Sequence, residues 1–232
     1  MFSYIKCPAD TAIEKLRQGN KSIENFKYIR LNWLCGVLLK TRKSLMIVLI
    51  GISGAGKSTL IDYVYLTKNL TFKKLVAVTD REPRSREVDG IDKYFLTTSK
   101  FAQENDENLL CLVNLIYNNN YGFYKKDFLD GSNYLCELYY KNYSDFKAYH
   151  RNSVSLYVRP VKLSYAMSGI RERGSAQEEI YIRGKNIFEE HTRLEKLSND
   201  NFFDYVYTNK YDSNSKNEFV ALTNEITNEN RS

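Results

Sequence analysis

The stretch LMIVLIGISGAGKSTLIDYVYL, residues 45–66, limits the fold more tightly than any other part of the chain. Residues 45–50 are a continuous apolar run, the pattern of a strand buried on both faces of a parallel sheet. After the turn, Leu60, Ile61, Val64 and Tyr65 recur at helical spacing. Between them, Gly51, four further residues and then Gly56-Lys57-Ser58 satisfy the phosphate-loop pattern Gly-x-x-x-x-Gly-Lys-Ser/Thr. The glycines permit backbone angles and a close approach that a Cβ would forbid. Amide N–H groups then converge on phosphate oxygens at a helix N-terminus, where the helix dipole adds positive potential. A chance glycine turn lacks this strand–loop–helix context. The expectation is that Gly51, Ser53, Gly54, Ala55, Gly56, Lys57, Ser58 and Thr59 bind a nucleoside triphosphate. Lys57 is expected to reach the β and γ phosphates, and the Ser58 hydroxyl to ligate Mg²⁺.

Further β-rich runs follow at KKLVAVT (73–79), SVSLYVRP (153–160) and DYVYTN (204–209). Helical patterns lie between and after them. In SAQEEIYIRGKNIFEEHTRLEKL, Ser175 and Glu178 have capping-box spacing, and Ile180, Ile187, Leu194 and Leu197 share a face. Near the C-terminus, Phe219, Leu222 and Ile226 recur at helical spacing. Strands alternating with helices predict an α/β fold on a largely parallel sheet, a P-loop NTPase core. Residues 1–44 precede the first strand and stand apart as an N-terminal extension, with one helical stretch, DTAIEKLRQG, and an apolar patch around Trp33. They are expected to pack on the core or to contact a protein partner.

The formal charge of +6 is mild, suits phosphorylated ligands and does not call for nucleic acid. The four cysteines are scattered, and His150 and His191 are the two histidines, so a zinc site or disulfide framework is not expected. The longest membrane candidate, LNWLCGVLL at 31–39, is far short of a span. A soluble cytoplasmic protein is expected.

A second dense motif, TDREPRSREVDGIDKYF (79–95), carries arginines at 81, 84 and 86. Arg81 and Arg84 can converge on one anion, since the planar guanidinium makes bidentate charge-assisted bonds to phosphate. With this motif in place, the chain resembles the guanylate kinase family. That family has GPSGxGKST and then TTRxPRxGEVxGxDYxF, where this chain has GISGAGKST and TDREPRSREVDGIDKYF. NNNYGF (118–123) is similar to the family's GNYYGT/S, RERGSAQEEIYIR (171–183) to its lid RGRGTESEExIxxR, and FFDYVYTN (202–209) to its FDYVVVN strand. The match runs in order over roughly residues 45–230.

The resemblance implies a guanylate-kinase-like domain at 45–232, with an acceptor-binding segment at about 80–125 and a lid at about 165–185. It implies ATP-dependent phosphoryl transfer, with GMP as the default acceptor. Carried over by position, Arg81 and Arg84 would grip the acceptor phosphate, with Tyr121 and Lys93 beside them. Lys57, Arg173 and Arg183 would act on the transferring group. Positioning and positive charge dominate such a reaction, so no general base is expected.

Several positions depart from the family. Lys93 stands where a phosphate-binding tyrosine is usual, and Asp80 replaces a threonine. Ala77, Leu112 and Phe123 fall where the family has groups that contact guanine. The carboxylate-rich strand retains Glu137, and one lid arginine is Gly169, with Arg171 close by. Either a gap restores a polar group such as Glu107 or Asn114, or the acceptor is another nucleotide or a sugar phosphate. A non-catalytic protein-binding module of the same fold is a further alternative, opposed by the complete phosphate loop.

Overall fold

The computed structural model describes residues 44–67, 72–129, 131–172 and 177–230, with backbone alone at 177–180, 182 and 183. Residues 44–232 form one compact unit, and the expected features of 1–43 lie outside the described residues.

The core sheet has five parallel strands in the order β2-β7-β1-β8-β9: β1 Met46–Ile50, β2 Phe72–Lys74, β7 Asn133–Glu137, β8 Ser153–Pro160 and β9 Tyr205–Asn209. The central strand β1 is fully buried, as its unbroken apolar run requires. Its partners are aligned with Met46 beside both Tyr134 and Ser153. Helix α1, Lys57–Leu66, follows β1 and buries Leu60, Ile61 and Val64. Helix α4, Leu163–Arg171, packs on β8 and on α5, Gln177–Asn199. The C-terminal helix α6, Ser213–Glu229, is capped by Asp212, whose carboxylate accepts the Ser215 N–H, and buries Phe219 and Ile226. The capping serine expected for α5, Ser175, lies outside the described residues.

The run 73–79 is not one strand. Lys74 ends β2 in the core sheet, Leu75 is buried at the crossing, and Val78–Thr79 begin β3 in a second sheet. That sheet has the order β4-β3-β6-β5, with β4 Tyr94–Phe95, β5 Leu110–Ile116 and β6 Asn119–Tyr124. Helix α2, Thr98–Asp106, covers one face, where Val78, Phe101 and Leu110 form a small separate core. Strands β5 and β6 turn through Tyr117 and Asn118, both at positive φ (49° and 63°), as a two-residue type I′ hairpin demands. A short helix α3, Tyr143–Tyr149, leads into β8.

His150 ties the start of β1 to the start of β8: its ring nitrogens meet the Ser44 hydroxyl at 3.0 Å and the Ser153 hydroxyl at 3.3 Å. Burial pushes its pKa below the ordinary 6.5, and the Lys147 ammonium acts in the same direction. A base depressed in the folded state contributes stability that is complete above 6.5 and is lost as pH falls from there through the folded value. Urea unfolding at about pH 8 and about pH 5 should show a smaller acid loss in His150→Gln than in the unmodified chain. Equal losses would remove His150 as the titrating group.

Candidate active site

The phosphate loop joins β1 to α1 and is shaped by contacts from distant segments. Gly54 and Gly56 have φ of 80° and 88°, left-handed values that favour glycine. A Cβ on Gly54 would lie 2.0 Å from the Ala166 carbonyl, so α4 presses directly on the loop. On the other side, Asn209 at the end of β9 donates from Nδ2 to the Ala55 carbonyl at 3.0 Å, and the Tyr211 hydroxyl donates to the Gly54 carbonyl at 3.0 Å. Asn209 Oδ1 in turn accepts the Tyr211 N–H at 2.9 Å. These bonds engage the Ala55 and Gly54 carbonyls, and within the loop the Ala55 N–H donates to the Ile52 carbonyl at 3.2 Å. Lys57 Nζ bridges the Gly51 and Ile52 carbonyls at 2.9 and 3.0 Å and lines the cavity. Ala55 is fully buried behind the loop.

Two cavities meet at this loop. The first reaches from Gly51, Ser53, Lys57 and Ser58 to Arg81, Lys93 and Tyr121 in the second sheet. The second lies against Gly54, Gly56 and Thr59, with Tyr165 and Tyr211 stacked at its rim, ring centroids 5.3 Å apart. Ser58, Arg84, Glu87 and Asp92 line both.

At the junction the two arginines share one carboxylate. Arg81 Nη2 donates to both Glu87 oxygens at 2.9 and 2.8 Å. Arg84 donates from Nη1 at 3.0 Å and from its backbone N–H at 2.8 Å. Burial works to raise the Glu87 pKa, but the Arg84 N–H and the two guanidiniums outweigh it and hold the carboxyl below its ordinary value. Arg81 is 7% exposed, lies over the Phe95 ring, and among the described residues its Nε has no hydrogen-bond partner. A buried, unpaired N–H of a cation is a costly arrangement.

The second sheet is fixed by its own polar side chains. Asp80 accepts both the Asn120 N–H and Nδ2 at 2.7 Å, and the Thr79 hydroxyl donates to the Asn120 carbonyl at 2.8 Å. Cys111 pairs with Phe123 and Asn114 with Tyr121, leaving a bulge that contains Leu112. Leu112 is held at φ 54°, a left-handed conformation costing an L-residue about 1–2 kcal/mol, and it lines the first cavity with Ala77 and Phe123. Glu107 caps the end of α2 and accepts a bond from Gln103, while Asn114 Nδ2 donates to the Leu112 carbonyl. Neither is among the residues of the first cavity.

In the segment expected to form a lid, Arg171 ends α4 and Gly169 packs 3.5 Å, measured from its ideal Cβ, from the Gly54 carbonyl. Arg173 lies outside the described residues, and Arg183 is described as α5 backbone alone. Sequence reasoning did not single out Asn209, Tyr211 or Tyr165. The DYVYTN motif was visible, but its link to the loop spans 154 positions and is purely tertiary.

The guanylate kinase family model matches residues 43–216, which covers both sheets, the loop and α5. The chain belongs to the guanylate kinase family. A guanylate kinase of Clostridium acetobutylicum is 31% identical over 163 residues, 68% of this chain and 77% of that one. A guanylate kinase of Carboxydothermus hydrogenoformans is 27% identical over 186 residues, 78% of this chain and 87% of that one. The crystal structure of guanylate kinase from Anaplasma phagocytophilum shares the fold at a TM-score of 0.57 and 21% identity, covering 83% of this chain and 89% of that one. Membership in the guanylate kinase family makes the chain a nucleoside monophosphate kinase on a P-loop core.

Proposed function

We propose that this protein transfers the γ-phosphoryl group of ATP to a nucleoside monophosphate, with GMP as the acceptor that its relatives' names indicate. One observation carries the proposal: Ser58 and Arg84 line both cavities, so a donor on the phosphate loop and an acceptor phosphate on the arginines meet at one point. The donor's phosphates would lie along Gly51–Thr59, and its base beside the Tyr165–Tyr211 pair. Arg81, Arg84, Lys93 and Tyr121 would hold the acceptor phosphate, with Glu87 keeping the two guanidiniums pre-set.

An acceptor phosphate oxygen then bonds to the γ-phosphorus as the bond from that phosphorus to the β,γ-bridging oxygen breaks, leaving ADP. The attacking oxygen is already ionised near pH 7, since a phosphate's second pKa is about 6, so no side chain takes a proton. Lys57 would exchange its carbonyl partners for β- and γ-phosphate oxygens as charge moves onto the bridging oxygen. Mg²⁺ is usually held by one or two protein oxygens, substrate phosphates and water rather than by a protein cage. The Ser58 hydroxyl, in the first turn of α1 and facing both cavities, suits that role. The ion would neutralise phosphate charge. Residues 80–125 would serve as the acceptor-binding segment and 165–185, with Arg173 and Arg183, as the lid excluding water.

No helix among the described residues is long and apolar enough to cross a membrane. A cytoplasmic location suits an enzyme that draws on ATP. Residues 1–44 are kept as a separate extension, a candidate contact for a protein partner. The test is ADP release from ATP and Mg²⁺ with GMP as acceptor. GMP-dependent release is expected, and a folded, ATP-binding protein that releases no ADP with any monophosphate would favour the protein-binding module instead.

A further inference from the structure

Resting on that proposed function, the structure carries one step more, about the third arginine of the motif at 79–95. Arg81 lines only the first cavity, Arg84 lines both, and Arg86 lines only the second. Three guanidinium-bearing residues thus run in chain order from the acceptor side, past the junction, to the cavity against Gly54, Gly56 and Thr59. A closed turn sets that order. The Glu87 N–H donates to the Arg84 carbonyl at 3.0 Å, and the Glu87 carboxylate accepts the Arg84 N–H at 2.8 Å. Arg86 occupies the third position of this four-residue turn, beside the carboxylate that fixes the other two arginines.

Arg86 differs from its neighbours in what holds it. Arg81 and Arg84 are bound to Glu87, whereas Arg86 is exposed and, among the described residues, is paired with no carboxylate. Of the other carboxylates along the second cavity, Asp62 accepts from Lys74 at 2.9 Å. Asp92 accepts the Val88 N–H at 2.8 Å and faces Lys74 at 3.7 Å, and Glu172 follows the end of α4. An exposed arginine is usually a solvated one. A reciprocal exchange sets this one apart. The family pattern has glycine at position 86 and a lid arginine at 169, where this chain has Arg86 and Gly169. Both positions line the second cavity. The positive charge has left the α4 wall and stands on the opposite one.

We propose that Arg86 binds the donor's phosphates from the acceptor-segment side, in place of a cation from α4. A guanidinium suits that task through charge-assisted bonds to phosphate oxygens. The turn that carries Arg86 also carries Arg84, so one short segment reaches the acceptor phosphate, the group in transit and the donor. A bond of this kind forms with the triphosphate whether or not the acceptor is present, so its loss appears in donor binding. Exposure limits its size, because water and salt screen a charge at the surface.

The test is Arg86→Ala in the full chain, assayed with Mg²⁺, ATP and GMP, beside calorimetric binding of the β,γ-imido analogue of ATP. The KM for ATP and the Kd of the analogue should each rise about 5–20-fold, while the KM for GMP stays within about threefold. The thermal melt should not move, since the side chain is exposed. Arg86→Lys keeps the charge and should bring both donor constants back within about threefold of the unmodified chain. Donor constants within about twofold in Arg86→Ala would overturn the inference and leave a solvated surface charge. A rise in the KM for GMP alone would overturn it by placing Arg86 on the acceptor side. An equal donor loss in Glu172→Gln would overturn it by making an ion pair across the cavity the cause. An unmodified chain that binds the analogue but transfers nothing to any monophosphate would sink the kinase assignment, while the binding comparison would still decide the role of Arg86.

Discussion

Replacing Lys57 with alanine should lower kcat about 10²–10³-fold while the protein remains folded, the size seen when one preorganised charge-stabilising donor is removed from an active site. The ammonium sits on the Gly51 and Ile52 carbonyls at the mouth of the loop and lines the cavity, within reach of phosphates placed there. Its loss removes two loop hydrogen bonds worth about 1 kcal/mol each, which for a chain of this size lowers Tm by only a few degrees. Rate and stability are therefore separable. Steady-state kinetics and a thermal melt on the same preparation decide the matter. Activity within about tenfold of the unmodified chain would remove Lys57 from the transfer step. Lys57→Arg should restore little, because a planar guanidinium fork cannot replace a compact ammonium between two carbonyls.

What the sequence disclosed, and what it hid, follows from the range of the interactions. The phosphate loop was legible because its requirements are local: glycines at two left-handed positions, a lysine and a hydroxyl, all within nine residues of a buried strand. Strand β1 was legible because burial on both faces leaves a plain apolar run, whereas β8 and the edge strand β9, with Val206 exposed, stood out by their β-branched and aromatic residues. The 73–79 run misled because composition carries no mark where a chain leaves one sheet for another; Leu75 is as apolar as its neighbours on either side. Strand β5 is not among the runs read from the sequence, since the bulge at Leu112 breaks the two-residue alternation that identifies a half-buried strand. Helices α2 and α3 are short, and each buries only two side chains, too few to give a periodic signal.

In the candidate site the same division holds. Arg81 and Arg84 stood out as a pair, but nothing in their spacing announced that Glu87 would bind both guanidiniums. Ala77, Leu112 and Phe123 stood out as departures from a family pattern, and only the folded chain shows that these three line the first cavity while Glu107 and Asn114 do not. Asn209 and Tyr211 could not be found from sequence, because they act by meeting loop carbonyls that local spacing does not connect to them.

Arg81→Ala should raise the acceptor KM by about 10–100-fold and leave the KM for ATP within about threefold, whereas Arg84→Ala should lower kcat as well. The distinction comes from position. Arg81 lines the first cavity alone, nearly buried, with its guanidinium held by Glu87 and the Glu82 carbonyl and its Nε without a partner among the described residues. On the proposed assignment it binds the acceptor phosphate in ground state and transition state alike, and loss of such uniform binding appears in KM. Arg84 lines both cavities, so its charge also faces the group in transit, and an interaction that strengthens in the transition state appears in kcat. Removing Arg81 also leaves the half-buried Glu87 with one guanidinium instead of two, so each variant needs a melt beside its kinetics. Arg81→Lys keeps the charge but loses the two-pronged hold on Glu87, and should recover stability more fully than acceptor affinity. If Arg81→Ala weakened ATP as much as the acceptor, the arginine would belong to the donor side. The proposed division of the two cavities would then fail.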